Sequence, residues 1–315
     1  VFDVIVIGGG PAGLSAALTL GRALRPTLLI DSGEYRNAPA ADMHNFLTRD
    51  GTPPSEFRKI SHSELDQYST VEIRNVTVDD TRPLKDGDGF ELTLTDGSAV
   101  QARRLLLATG LADDLPPIEG IGELWGRGVY HCPYCHGFEI RDTPIAVLYS
   151  DPLMVDLALH LRRFSSDVVL CADGRGDELD GSTLARLADN GVAVRGEKVV
   201  RLESNGERLE NVVFESGESL PRHGLFAMSQ FRQRSELPGR LGCQLLPDGC
   251  VAVDDFQLTS VPGVYAAGDM AHRASLPMPT PFVSTATSSG TIAAIAADKN
   301  LVATDTTTRP DPVPA

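Results

Sequence analysis

The residues with the plainest chemistry lie at His131-Cys132-Pro133-Tyr134-Cys135-His136. Two thiols separated by two residues can close a small disulfide, and this arrangement often draws one thiol's pKa well below the usual ~8.5. The thiolate is the nucleophile in thiol–disulfide exchange, so a proton acceptor beside it matters. Histidine is the side chain whose ordinary pKa lies nearest neutrality, which makes the flanking His131 and His136 candidates to take or return that proton. A zinc reading needs two more ligands. Cys243 and Cys250 have six residues between them and form no second C-x-x-C, and Cys171 stands alone. We therefore expect redox chemistry and no metal. His44, His62, His160, His223 and His272 lack such a context and read as structural.

A second group is Gly8-Gly9-Gly10-Pro11-Ala12-Gly13, a G-x-G-x-x-G pattern. It follows a β-branched apolar run (Val1 to Ile7), opens a helical pattern (Leu14 to Leu24), and precedes a second apolar run, Thr27 to Ile30, ending at Asp31. This is a β-α-β unit for a parallel sheet. Gly8 permits the tight turn, Gly10 lets backbone approach a pyrophosphate, and Gly13 lets helix and strand pack closely. The helix N-terminus, opened by Pro11, presents the N–H groups of Ala12 and the residues after it to phosphate oxygens, and Asp31 can accept from a ribose diol. Ala108-Thr109-Gly110 ends a buried run (Arg104 to Ala108), and Gly263-Val264-Tyr265-Ala266-Ala267-Gly268-Asp269 ends another. An ordinary helix cap is the competing reading of Asp269.

The elements that must position these groups come in two series. The first includes Val71–Val78 and Phe90–Leu94, with a turn at Asp96-Gly97. A stretch rich in Pro, Gly and Asp from Leu111 to Gly122 reads as a linker. A second alternation begins with a strand at Ile145–Tyr149, a helix at Leu153–Phe164 and a strand at Val168–Cys171, then a helix near Thr183–Ala188. The segment 227–262 reads as loops with a turn at Gly249. A final helix is expected near Thr285–Ala297, and a Thr-, Asp- and Pro-containing disordered tail from Ala303. The pattern predicts an α/β protein with two similar nucleotide-binding folds, the second inserted in the first.

The chain has 315 residues, 42% apolar and 23% charged, ordinary for a globular protein of about two domains. Its net charge of −15 argues against a nucleic-acid partner, which would need a basic face, and suits colloidal solubility. No apolar run approaches the ~18–20 residues that span a bilayer. The chain opens directly on a strand-like run, which predicts no signal peptide.

The order of these parts, with Trp125-Gly126-Arg127-Gly128-Val129 leading into the C-x-x-C and Gly137-Phe138 following it, resembles the low-molecular-weight thioredoxin reductases over nearly the whole chain. The resemblance implies two Rossmann-like, three-layer ββα domains. The expected boundaries are 1–112 and 232–315 for the FAD-binding domain and 113–231 for a degenerate NAD(P)-binding-like domain carrying the cysteines. It implies FAD as cofactor, with Asp269 on the ribityl chain, Gly268 beside it, Asn45 near the flavin, and Phe282 and Val283 placing backbone against it. It also implies that Cys135 faces the flavin, that Cys132 exchanges with substrate, and that the protein is a cytoplasmic homodimer. Where those reductases carry an aspartate after the second cysteine, this chain has His136. Cys-Pro-Tyr-Cys-His-Gly-Phe-Glu resembles the gliotoxin- and holomycin-type dithiol oxidases of secondary metabolism, which close disulfides in small molecules and pass electrons through FAD to oxygen.

A working NADPH domain of this kind carries a second glycine fingerprint and a basic cluster for the 2′-phosphate. Here the first strand is followed by Tyr149-Ser150-Asp151-Pro152-Leu153-Met154, and the next by Ala172-Asp173-Gly174-Arg175. Side chains in place of glycines, and Asp151 among them, should keep a pyrophosphate away. Arg162, Arg163 and Arg175 leave an unusual NADPH route open. The expected function is therefore an FAD-dependent oxidase of a small dithiol, with oxygen as acceptor and hydrogen peroxide as product. The rivals are an NADPH- or ferredoxin-dependent disulfide reductase and a non-enzymatic flavin redox sensor.

Overall fold

In the computed structural model, residues 1–84, 88–206 and 208–307 are described. The chain divides into two compact units. One comprises Val1–Arg36, Ser55–Ala112 and the described residues from Arg232 on; the other comprises Asn37–Pro54 and Asp113–Phe231. Residues 37–54, expected with the FAD-binding half, thus belong to the unit that carries the cysteines.

The first unit is built on a seven-stranded sheet. Strand Phe2–Ile7 lies between Thr27–Asp31 and Ala99–Leu107, parallel to both, and Val264–Ala266 also joins Ala99–Leu107 in parallel. Val4–Val6, Leu28, Leu29 and Leu105–Leu107 are fully buried, which is why these runs read as continuously apolar rather than alternating. Each such burial contributes about 1.5–3 kcal/mol. The helices Pro11–Arg22 and Val283–Thr307 pack closely: a Cβ on Gly290 would lie 2.0 Å from the carbonyl oxygen of Ala12.

In the second unit, Val192–Arg195, Val168–Cys171, Ile145–Leu148, Gly224–Phe226 and Val129–Tyr130 form a parallel five-stranded sheet in that order. Its residues alternate between two cores, as the two-residue period of a strand requires. Ala146, Leu148, Val169 and Leu225 pack with Val199, Leu202, Val212 and Phe214 of the antiparallel strands Val199–Asn205 and Arg208–Phe214. Ile145, Val147, Val168 and Phe226 pack with Met154, Val155, Ala158, Leu161 and Leu187 of two helices. The result is an antiparallel sheet, a parallel sheet and a helical layer, the three-layer arrangement expected.

Several elements differ from the sequence reading. The run 71–78 is two strands, Val71–Asn75 and Val78–Pro83. The linker region holds a strand, Leu111–Asp114, and a short helix, Ile121–Leu124. A helix at Pro54–Leu65 had no sequence expectation. The last helix runs on to Thr307, so the tail expected to be disordered from Ala303 begins as helix. Ion pairs hold it there: Asp305 meets Arg103 at 2.6 Å and Arg25 at 3.5 Å, and Arg104 donates to Thr304 Oγ1. Charged partners supplied by the strand Ala99–Leu107 and by Arg25, in the loop after the helix Pro11–Arg22, override weak local propensity. Residues 308–315, the rest of that tail, lie outside the described residues.

Candidate active site

The cysteine pair sits where the strand Val129–Tyr130 leaves the parallel sheet. Cys132 is extended and Pro133 opens a one-turn helix, Pro133–His136; proline suits that first position because its missing N–H would be unsatisfied there anyway. The turn is closed by Cys135 and His136 amides donating to Cys132 O, and by Gly137 N donating to Pro133 O at 2.8 Å. A Cβ at Gly137 would lie 2.5 Å from that oxygen, so glycine is required for the exit. Cys132 and Cys135 form a disulfide with Cα atoms 5.3 Å apart.

Both flanking histidines are held by aromatic faces. His131 stacks on Trp125, and His136 stacks on Tyr130 with centroids 4.6 Å apart. His136 Nε2 is buried without a hydrogen-bond partner among the described residues. Burial, and then the neighbouring His131 and His44, push its pKa down to about 4. At neutral pH the ring is therefore uncharged, on the residue that follows Cys135.

His44, read from sequence as structural, approaches His136 edge-on, with centroids 6.3 Å apart. Its ring nitrogens face Asp50 Oδ1 and Glu139 Oε1, each at 3.5 Å. The sequence signal for it was its place next to Asn45. Asn45 itself, expected beside the flavin, donates its side-chain amide to Tyr134 O at 2.8 Å, within the cysteine turn. Tyr134 and Phe138 are exposed beside the pair.

The glycine fingerprint and its partners all fall in the first unit. Gly8 has φ +115°, and a Cβ there would lie 2.2 Å from Ala108 O; one at Gly13 would lie 1.8 Å from Gly8 O. Those two glycines let two strand ends and a helix converge, with Ala108, Thr109 and Gly110 continuing from the neighbouring strand. At Gly10 nothing lies within 4 Å of a would-be Cβ, and the helix Pro11–Arg22 has no side-chain cap. An open backbone face at an uncapped N-terminus is suited to a pyrophosphate. The fit to FAD is therefore good.

Asp31 is 2% exposed; its carboxylate lies against Gly9 and accepts from Gly33 N and from Tyr35 OH. Arg58 covers the Tyr35 ring at 3.8 Å, and burial, then the bond to Asp31, pushes the Tyr35 phenol up to about 12. Gly268 N donates to Ser289 Oγ, Asp269 pairs with Arg36 at 3.1 Å, and Phe282 N donates to Thr280 O just before the helix that begins at Val283. Sequence reasoning passed over Gly9, Tyr35, Arg36 and Arg58, whose partners are remote in sequence or lack a motif.

In the second unit the loop after the strand Ile145–Leu148 is hydrogen-bonded within the chain. Asp151 Oδ1 accepts from Leu153 N at 2.8 Å at the start of the helix Leu153–Leu161, and Oδ2 accepts from Ser150 Oγ. A carboxylate of the chain thus accepts from the amide at this helix N-terminus, the kind of position that binds phosphate in nucleotide-binding folds. Arg175 donates to Ser150 O, and Arg162 to Asn190 O and Ser165 O. Two of the three arginines that kept NADPH open are thereby tied to backbone.

Asp248, Cys250 and His272 form a separate cluster, their donor atoms within 4.8 Å. His272 Nε2 meets Asp248 Oδ2 at 2.8 Å and its Nδ1 meets Arg273 O at 2.9 Å. Both partners are oxygens, a carboxylate and a backbone carbonyl, so the ring is fixed from both of its nitrogens. Burial, then Asp248, pushes the Cys250 thiol up to about 12.

The pyridine nucleotide-disulphide oxidoreductase family model matches residues 2–295, and the chain belongs to that family. Within it, the chain is a thioredoxin reductase-like flavoprotein with FAD as cofactor. It is 36% identical to thioredoxin reductase tcpT of Claviceps purpurea over 282 residues, covering 85% of this chain and 86% of that one. It is 32% identical to thioredoxin reductase sirT of Leptosphaeria maculans, covering 86% and 87%. Its structure matches the crystal structure of HlmI with TM-score 0.88 and 39% identity, over 98% of this chain and 94% of that one. Among the described residues, no helix is long and apolar enough to cross a membrane.

Proposed function

We propose that this protein is an FAD-dependent oxidase that closes a disulfide in a small-molecule dithiol, with oxygen as acceptor and hydrogen peroxide as product. The observation that carries this reading is the Asp151 carboxylate seated at the helix N-terminus of the second unit, in a chain that keeps its cysteine pair. With the Leu153 amide already engaged by Asp151, a hydride donor loses that anchor, and in this reading electrons enter from the thiol side. The resemblance to gliotoxin- and holomycin-type oxidases points to a secondary-metabolite substrate. The printed names of tcpT and sirT favour a reductase instead, and the self-filled nucleotide loop speaks against it.

In the cycle, a substrate thiolate attacks Cys132 Sγ, the Cys132–Cys135 bond breaks, and Cys135 leaves as thiolate. The second substrate thiol gives its proton to the uncharged His136 Nε2 and attacks the first substrate sulfur, which closes the product disulfide and releases Cys132. His136 can then return that proton to a cysteine sulfur. Tyr130 and Trp125 hold the two histidine rings in place. Bound FAD supplies the two-electron acceptor that relays the electrons of the dithiol pair to oxygen. Gly8, Gly10, Pro11, Ala12, Gly13 and Asp31 would hold its ADP half; Ala108, Thr109, Gly110, Gly268, Asp269, Phe282 and Val283 would hold the rest. A homodimer and a cytoplasmic location, from the family analogy, belong to the same proposal. The balance is one dithiol and one oxygen to one disulfide and one peroxide. Oxygen uptake with a small dithiol should match peroxide and disulfide one for one; no uptake with any dithiol would remove the oxidase reading.

The depressed pKa of His136 sets a pH window. Its folded value of about 4 lies below the ordinary 6.5, so between those values the unfolded chain binds more protons than the folded one. Stability therefore rises with pH across this window and is fully present above about 6.5. The effect is about 3 kcal/mol at most. Denaturant midpoints at pH 7.5 and 4.5 should fall further on acidification for wild type than for His136→Gln; an identical fall would show that His136 is not the buried neutral base.

A further inference from the structure

The segment Met43–Thr52 is a closed loop. Met43 N donates to Thr52 O and Gly51 N donates to Met43 O, both at 2.9 Å. Inside it Asn45 has φ +63° and Thr48 φ +73°. Asparagine tolerates the left-handed region, whereas a β-branched threonine there is strained, and strain of this kind persists only where surrounding contacts over-determine it. Those contacts converge on Asn45. Its backbone amide donates to Asp50 Oδ1 at 2.9 Å, which fixes the residue, and its side-chain amide donates to Tyr134 O at 2.8 Å.

Tyr134 O belongs to the peptide that leads directly into Cys135. In a one-turn helix the last carbonyls have no partner of their own, so an outside donor is needed to hold that peptide plane. We propose that Asn45, braced by Asp50, is a positioning residue that clamps the Cys135 peptide with the disulfide closed and so biases the pair toward its oxidised form. The proposal rests on Cys132 and Cys135 as the redox pair, but not on oxygen as acceptor.

The test is the equilibrium of the pair in the holoprotein against a glutathione couple, read by acid quench, thiol alkylation and mass. A hydrogen bond of this kind is worth about 0.5–1.5 kcal/mol, a factor of about 2–13. Asn45→Gly keeps the backbone conformation and removes the amide; Asn45→Asp keeps the shape and removes the donor. Both should shift the equilibrium about 2–13-fold toward the dithiol with FAD retained, and Asp50→Ala should shift it the same way by less. An unchanged equilibrium in both Asn45 variants would overturn the clamp, as would loss of FAD without a shift, which would assign Asn45 to the flavin instead. Because the readout needs no turnover, failure of the oxidase reading would leave it intact.

Discussion

Serine at either Cys132 or Cys135 is expected to lower dithiol turnover by more than about 10³-fold while the protein stays yellow. A hydroxyl is a far poorer nucleophile than a thiolate at neutral pH and cannot close a disulfide, so neither half of the exchange survives. The side chains are half-buried at a sheet edge in the second unit, and the fingerprint residues that would hold FAD lie in the first, so flavin content should not follow activity. Turnover of a small dithiol and the flavin-to-protein absorbance ratio measure both quantities on one sample. Full activity in either variant would remove the pair from the chemistry. Loss of flavin with activity would mean that the substitutions disturb more than the sulfur atoms.

The second large effect concerns the electron donor. In the absence of oxygen, a small dithiol should decolourise the bound flavin, and millimolar NADPH should do so at least about 10²-fold more slowly. Admitting air should restore the colour and generate peroxide. A phosphate brought within 4 Å of the Asp151 carboxylate meets a repulsion on the order of 4 kcal/mol at an effective dielectric near 20, and the amide it would use already donates to that carboxylate. Rapid stoichiometric reduction by NADPH would promote the reductase reading. Fast reduction by ferredoxin alone would promote the ferredoxin-dependent one. Asp151→Gly by itself should not create NADPH reduction, because the loop still lacks the remaining glycines of a fingerprint and Arg175 still donates to Ser150 O.

Much of the site was legible because its chemistry depends on residues close in sequence. The C-x-x-C with His136, the glycines opening the helix Pro11–Arg22 and Asp31 closing the next strand obey short-range rules of spacing; the last two are found on their expected elements, and the cysteines lie on a one-turn helix that the spacing did not specify. The missing second fingerprint was legible for the same reason. The sequence could show like charge at Asp151, but not that its carboxylate would turn back onto Leu153 N.

What the sequence by itself determined is the set of reactive groups and the parallel α/β scaffold: two spaced thiols, a histidine where a carboxylate is usual, an uncapped glycine turn, and apolar runs of strand length. What only the tertiary structure decided is their surroundings. Packing buried the Nε2 of His136 and drove its pKa down, brought His44 and Asn45 to the cysteine turn across some ninety residues, set Arg36 on Asp269, and fastened the last helix through Asp305. The reason is physical. Backbone conformation at a turn follows from the few residues that form it, whereas desolvation and ion pairing depend on which distant segments end up within a few ångströms of one another.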